Sequence, residues 1–224
     1  MAVERIFDEA DLNQLIEQNA APPYGRRNAA LIFGGVYWGL TPLEASQIEL
    51  ENVIAPSGDF YRVWVLPAHF AFNGEAREIH TGDHILPFFE KYAELRQEKE
   101  WGLSNLKSHR SLAPDSKFFL NDSGEPYKVT ARKAGSGSYQ PRSMNEQLKR
   151  MIGRTDLYGA TPASFRDSFI KGMYDKGCGW TELKKVSGIK QKRTLEKKVR
   201  PHERELENVL KSLYSRVKMP DNFK

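Results

Sequence analysis

Residues 27–40, RNAALIFGGVYWGL, are apolar nearly all round, so a helix over this stretch has no face to give to water and must be enclosed by other elements. That requirement places a buried centre early in the chain. Gly39 closes the helix, and another starts at once. In TPLE, Thr41 caps, Pro42 takes the first helical position and Glu44 returns a hydrogen bond at the third, which predicts a helix from Thr41 to about Val53. The longest apolar run, Ala29 to Tyr37, is too short to span a bilayer.

The elements that enclose this centre read from both sides. Residues 7–19 place Leu12, Leu15 and Ile16 at helical spacing behind an acidic first turn, and AAPPYG ends that helix. Residues 60–66 and 76–81 are rich in β-branched and aromatic residues and join through FNG, predicting a hairpin. A helix from about Pro87 to Glu100 follows, then a strand over Lys117 to Leu120 with the turn NDSGEP. Ala131 to Ser143 is Gly/Ser-rich and basic, which reads as a mobile loop. From Met144 onward the pattern is helix and turn: 144–153, 162–176 after a second Thr-Pro start at Thr161, 180–186, 191–199 and 202–217. The fold class is therefore mainly α with a small antiparallel β-sheet. The linkers are too short to separate stable units, so residues 1–224 read as one domain, with 1–23 an N-terminal helix and linker and 200–224 a C-terminal amphipathic helix and tail.

Charge separates the two halves. Residues 1–90 hold no lysine and only five Arg against thirteen Asp and Glu, a net of about −8. The remaining 29 of the 34 basic residues face 16 of the 29 acidic ones, making residues 91–224 about +13. The densest stretch, Lys184 to Arg200, carries eight Lys or Arg and one Glu, a density suited to phosphate neutralisation with counterion release. A solvated helix face looks much the same. The single cysteine, Cys178, forbids an internal disulfide and reads as an inert thiol. The acidic N-terminus lacks the basic-then-apolar order of a secretory signal, and both features point to the cytoplasm, nucleoid-associated in a bacterium. No phosphate-loop, dinucleotide or zinc spacing occurs, so no cofactor or metal is expected; His69, His80 and His84 read as structural or exposed histidines.

The order of these elements, rather than any one of them, resembles the catalytic domain of the tyrosine recombinases, the phage integrase family. Residues 27–54, RNAALIFGGVYWGLTPLEASQIELENVI, follow the family's RNxALLxLLxxTGLRxSELxxLxxxDI. Thr161, Pro162, Phe165, Arg166, Phe169 and Gly177 match TPHxLRHxFAxxLxxxG, while the hairpin NGEAREI and FFLNDSGEP sit where the family has counterparts. The resemblance implies a nucleophilic Tyr that attacks a DNA phosphodiester, two Arg and a His that stabilise charge on the phosphoryl oxygens, and a hairpin Lys that protonates the leaving oxygen. It also implies that most of this set is missing. Thr41 stands where the first Arg falls, Phe72 near the hairpin Lys, Ala163 at the His, Ile189 at the later His or Trp, and Lys198 at the nucleophile; Arg166 alone is matched. The chain also begins almost at the catalytic-type domain, so the family's N-terminal core-binding domain is expected to be absent.

The expectation is a DNA-binding, integrase-like protein of a mobile genetic element, inactive in cleavage and accessory or regulatory in recombination. Its phosphate contacts are expected from Arg166, Lys184, Lys185, Lys190, Lys192, Arg193, Lys197 and Lys198, with loop residues Arg132 and Lys133. Leu206, Val209, Leu210, Leu213 and Val217 form an apolar stripe fit to dock on a second copy or on an active recombinase. Two other uses stay open. One is an unorthodox recombinase or nicking enzyme with relocated groups such as Tyr214 and Lys190, although Tyr214 follows the apolar stripe and reads better as an anchor. The other is a protein-interaction module whose basic run binds an acidic partner.

Overall fold

The structure, a computed structural model, describes residues 5–131 and 139–200. Helix α1, Glu9–Asn19, is capped by Asp8, whose side chain accepts from the Asp11 amide at 2.8 Å. Helix α2, Gly25–Val36, is the apolar helix and lies at the centre, touching α1, α3, α5 and α7. It can be approached closely because it carries glycines: a Cβ on Gly35 would meet the Phe165 Cβ at 2.6 Å. Gly39 turns the chain out of the helix at φ +63°, a conformation that other residues resist.

The expected helix from Thr41 to Val53 is two helices, α3 Pro42–Gln47 and α4 Leu50–Val53. Between them Ile48 is extended, and its carbonyl accepts from the Phe118 amide at 2.9 Å while the Leu50 amide donates to the Ser116 carbonyl at 2.9 Å. Pairing with a distant segment prevails over the local helix because it buries both Ile48 and Phe118 completely. The same pairing corrects the strand expected at Lys117 to Leu120. That segment makes only isolated bridges, Glu49 with Lys117 and Leu120 with Pro126.

Strands β1, Val63–Leu66, and β2, Arg77–His80, form an antiparallel pair in which Trp64 faces Ile79 across the ladder, both buried. Helix α5, Leu86–Glu98, follows. A second two-stranded pair, β3 Thr130–Ala131 with β4 Tyr139–Gln140, overlaps the stretch Ala131 to Ser143 read as a mobile loop, and α6, Arg142–Ile152, begins before that stretch ends. Helices α7 Pro162–Asp175, α8 Trp180–Ser187 and α9 Lys192–Val199 complete the described chain. The expected C-terminal helix, with Leu206, Val209, Leu210, Leu213, Tyr214 and Val217, lies outside the described residues, as do Arg132 and Lys133.

Two apolar clusters result among the described residues. The larger is aromatic: Trp38 stacks on Phe89 at 3.9 Å and 6° between planes, and Trp64, Phe118 and Phe119 surround it. The smaller gathers Ile170, Leu183, Ile189, Leu195 and Val199 from α7, α8 and α9 and the turn before α9, with Cys178 and Trp180 packed on its edge. Helix α7 serves both, through Phe165 on one side and Ile170 on the other. No helix among the described residues is long and apolar enough to cross a membrane.

Candidate nucleic-acid interface

Thr41 and Thr161 open their helices as the Thr-Pro pattern requires. The Thr41 hydroxyl accepts from the Glu44 amide at 3.2 Å and the Glu44 carboxylate accepts from the Thr41 amide at 2.7 Å; Thr161 accepts from the Ala163 amide at 3.2 Å. Glu44 does more than cap. Fully buried, it receives Arg77 through two guanidinium nitrogens at 2.5 and 2.9 Å and the Phe72 amide at 3.1 Å. Burial alone would raise this carboxyl, but the Arg77 hydrogen bonds and the charges of Arg77 and Arg166 hold it below its ordinary value.

Arg166 lies beside that pair, one carboxylate serving two guanidinium groups. It is 8% exposed, donates to the Ser187 carbonyl, and carries the Phe72 ring 4.2 Å from its Cζ. Desolvation pushes Arg166 down to about 10, a shift that Arg77 adds to and that Glu44 and Asp167 oppose. Its Nε, like that of Arg77, is buried without a hydrogen-bond partner among the described residues.

The positions that the resemblance singles out converge on this spot. Thr41 is tied to it through Glu44, Phe72 covers it, and buried Ile189 follows Gly188 at the turn against which Phe72 and Asn73 rest. Ala163 sits exposed one turn before Arg166 on α7. Lys198 is half-buried, and its Nζ binds both oxygens of Asp167 at 2.5 and 2.6 Å, so α9 is pinned to α7 next to Arg166.

The exposed cations of the basic run lie on α8, on α9 and on the turn between them. Lys184, Lys185, Arg193 and Lys197 are exposed and make no salt bridge among the described residues. Lys192 reaches Glu196 at 3.5 Å and stands 5.2 Å over the Trp180 ring, while Lys190 pairs with Glu75 at 2.5 Å. Sequence reading gave Glu44 only a capping role and gave Asp167, Asn73 and Glu75 none. The one available signal was the carboxylate of Asp167 next to a lone matched arginine. The three histidines are accounted for by neighbours: His69 on Phe70, His80 on Glu78 at 2.8 Å and His84 edge-on to Tyr37.

No family model matches the sequence, and no curated protein matches it. Solved structures do. XerA recombinase superposes with a TM-score of 0.66 at 11% identity over 98% of this chain and 66% of that one. The Tn1549 transposon integrase in complex with circular intermediate DNA gives 0.62 at 13% identity, covering 94% and 66%. XerH site-specific recombinase bound to difH substrate gives 0.58 at 15%, covering 96% and 55%. The chain has the fold of a tyrosine recombinase catalytic domain. It spans between 55% and 66% of the length of these three proteins. At such identities the recombinase fold is what the likeness establishes, and function has to be argued from the residues set on it.

Proposed function

We propose that this chain is a DNA-binding, integrase-like protein of a mobile genetic element, inactive in strand cleavage, that acts as an accessory or regulatory factor in recombination or integration. The observation that carries the reading is the exposed cationic face of α8 and α9 beside Arg166, on a fold whose solved examples include an integrase in complex with DNA and a recombinase bound to its substrate. Lys184, Lys185, Lys190, Lys192, Arg193 and Lys197 make mainly phosphate contacts, which give affinity with little sequence reading. Arg166 adds one contact at the position matching the family's second Arg, and Arg132 and Lys133 add two more.

The reading as inactive rests on Lys198, at the position that the resemblance gives to the nucleophile. An ammonium held by Asp167 offers no hydroxyl to a phosphodiester, and with Thr41, Phe72 and Ala163 at three other positions little remains to stabilise a pentavalent phosphoryl group. Lys198 accordingly contributes to holding α9 rather than to DNA.

The test is binding to a mixed-sequence duplex, followed by fluorescence anisotropy across a salt series. Affinity is expected to fall steeply with salt, and combined K192E, R193E and K197E to flatten the slope by about 0.9 for each phosphate that is no longer neutralised. Binding indifferent to both overturns the reading. A nicked suicide duplex is expected to yield no covalent adduct; an adduct that disappears in Tyr214→Phe establishes relocated catalysis instead.

A further inference from the structure

The segment between β1 and β2, residues 67–76, reaches the turn that joins α8 to α9. The Phe72 ring lies on the Arg166 guanidinium, the Asn73 side-chain amide donates to the Gly188 carbonyl at 2.9 Å, and Glu75 pairs with Lys190 at 2.5 Å. Beneath it, the Phe72 amide is held by Glu44. Phe72 is nevertheless 42% exposed, so its ring covers Arg166 without belonging to either apolar cluster. What it covers is electrically unbalanced: Arg77, Arg166 and Lys198 face two carboxylates, Glu44 and Asp167, and among the described residues each guanidinium keeps a buried Nε–H without an acceptor. Such donors are costly to leave unmet, and a phosphate oxygen is a better partner for a guanidinium than an aromatic face.

We propose that residues 72–75 form a strap closed over Arg166, and that it lifts to let a DNA phosphate reach that guanidinium. The inference rests on the DNA-binding reading above and makes one contact of that site conditional. The ties of residues 73–75 are weak, and the Phe72 amide on Glu44 is left as the hinge. The Lys190–Glu75 pair is more than half exposed on both sides and screened by salt, and the Asn73 bond is a neutral one. Opening releases Lys190 as well as Arg166, so one motion delivers two cations to the backbone of the duplex. While the strap is shut, apparent affinity is reduced by the fraction of molecules in the open form.

Two measurements on the full chain test this. Phenylglyoxal labelling of Arg166, read by peptide mass spectrometry without DNA, is expected to quicken in Phe72→Ala and in the double variant N73A and E75Q. Affinity for duplex DNA is expected to rise in Phe72→Ala by roughly twofold to thirtyfold, the range a cation–π contact spans, and the rise to vanish when Arg166→Ala is added. Labelling unchanged in both variants overturns the strap whether or not the protein binds DNA. Faster labelling with unchanged affinity, in a protein that does bind DNA, overturns the gating. Faster labelling with no DNA binding by any form supports the strap and overturns the DNA-binding reading instead.

Discussion

The aromatic cluster around Trp38 and the aliphatic cluster between α7, α8 and α9 share one helix and differ in almost everything else. The first draws on α1 through α7 and on β1 and β2, its rings packing at several angles, and Arg96, fully buried, donates to three carbonyls and the Ser116 hydroxyl. Among the described residues the second has five buried apolar side chains and is tied to the rest by polar links, chiefly Arg166 to Ser187, Lys198 to Asp167 and Asn73 to Gly188. Lys184, Lys185, Lys190, Lys192 and Lys197 ride exposed on this smaller cluster. A region that must present unpaired cations has little apolar surface left to bury, so its stability is borrowed from the larger core through α7.

Three substitutions probe that contrast, from the largest expected effect downward. Trp38→Ala removes the centre of the aromatic cluster and is expected to cost about 3 to 5 kcal/mol in denaturant unfolding, lowering both regions in a single transition. Two separate transitions would break the picture of borrowed stability. Glu44→Gln, at the junction between the regions, is expected to cost about 3 kcal/mol at pH 7, because it leaves Arg77 buried without its counter-charge and leaves Arg166 with only Asp167, which Lys198 already pairs.

The pH dependence of the Glu44 substitution has a definite sign. Since the folded carboxyl is held below its ordinary 4.5, its contribution is complete above that value and is lost as pH falls through the lower folded one. The difference between the wild type and Gln variant is therefore expected to stay level from neutrality to about pH 4.5 and to shrink below it. A difference that grows on acidification would show that the carboxylate does not carry the junction. Leu195→Ala, fully buried in the small cluster, is expected to cost about 2 to 3 kcal/mol and to raise amide exchange in α8 and α9 while α2 and α5 stay protected. Uniform loss of protection would mean that the two clusters open as one.

Much of the architecture was legible because its determinants are local. The Thr-Pro starts at Thr41 and Thr161 hold their amides through side chains within three residues, and the alternation around Trp64 and Ile79 needs only the pleat of a strand. The helical pattern of the chain's second half and its charge are equally plain in the sequence, and the recombinase fold followed from the order of these elements. What the sequence left unspecified depends on partners far along the chain. The helix after Thr41 breaks at Ile48 because the backbone at Ser116 and Phe118 is available to it, and Glu44 turns from a cap into a counter-charge only where Arg77 and Arg166 meet it. Lys198 is one of eight cations in its run until Asp167, 31 residues earlier, singles it out. Phe72 likewise reads as an ordinary hairpin aromatic; only the tertiary structure sets its ring over Arg166. Capping and periodicity are short-range and therefore written in neighbouring residues, whereas burial and ion pairing are decided by which distant segments the fold brings into contact.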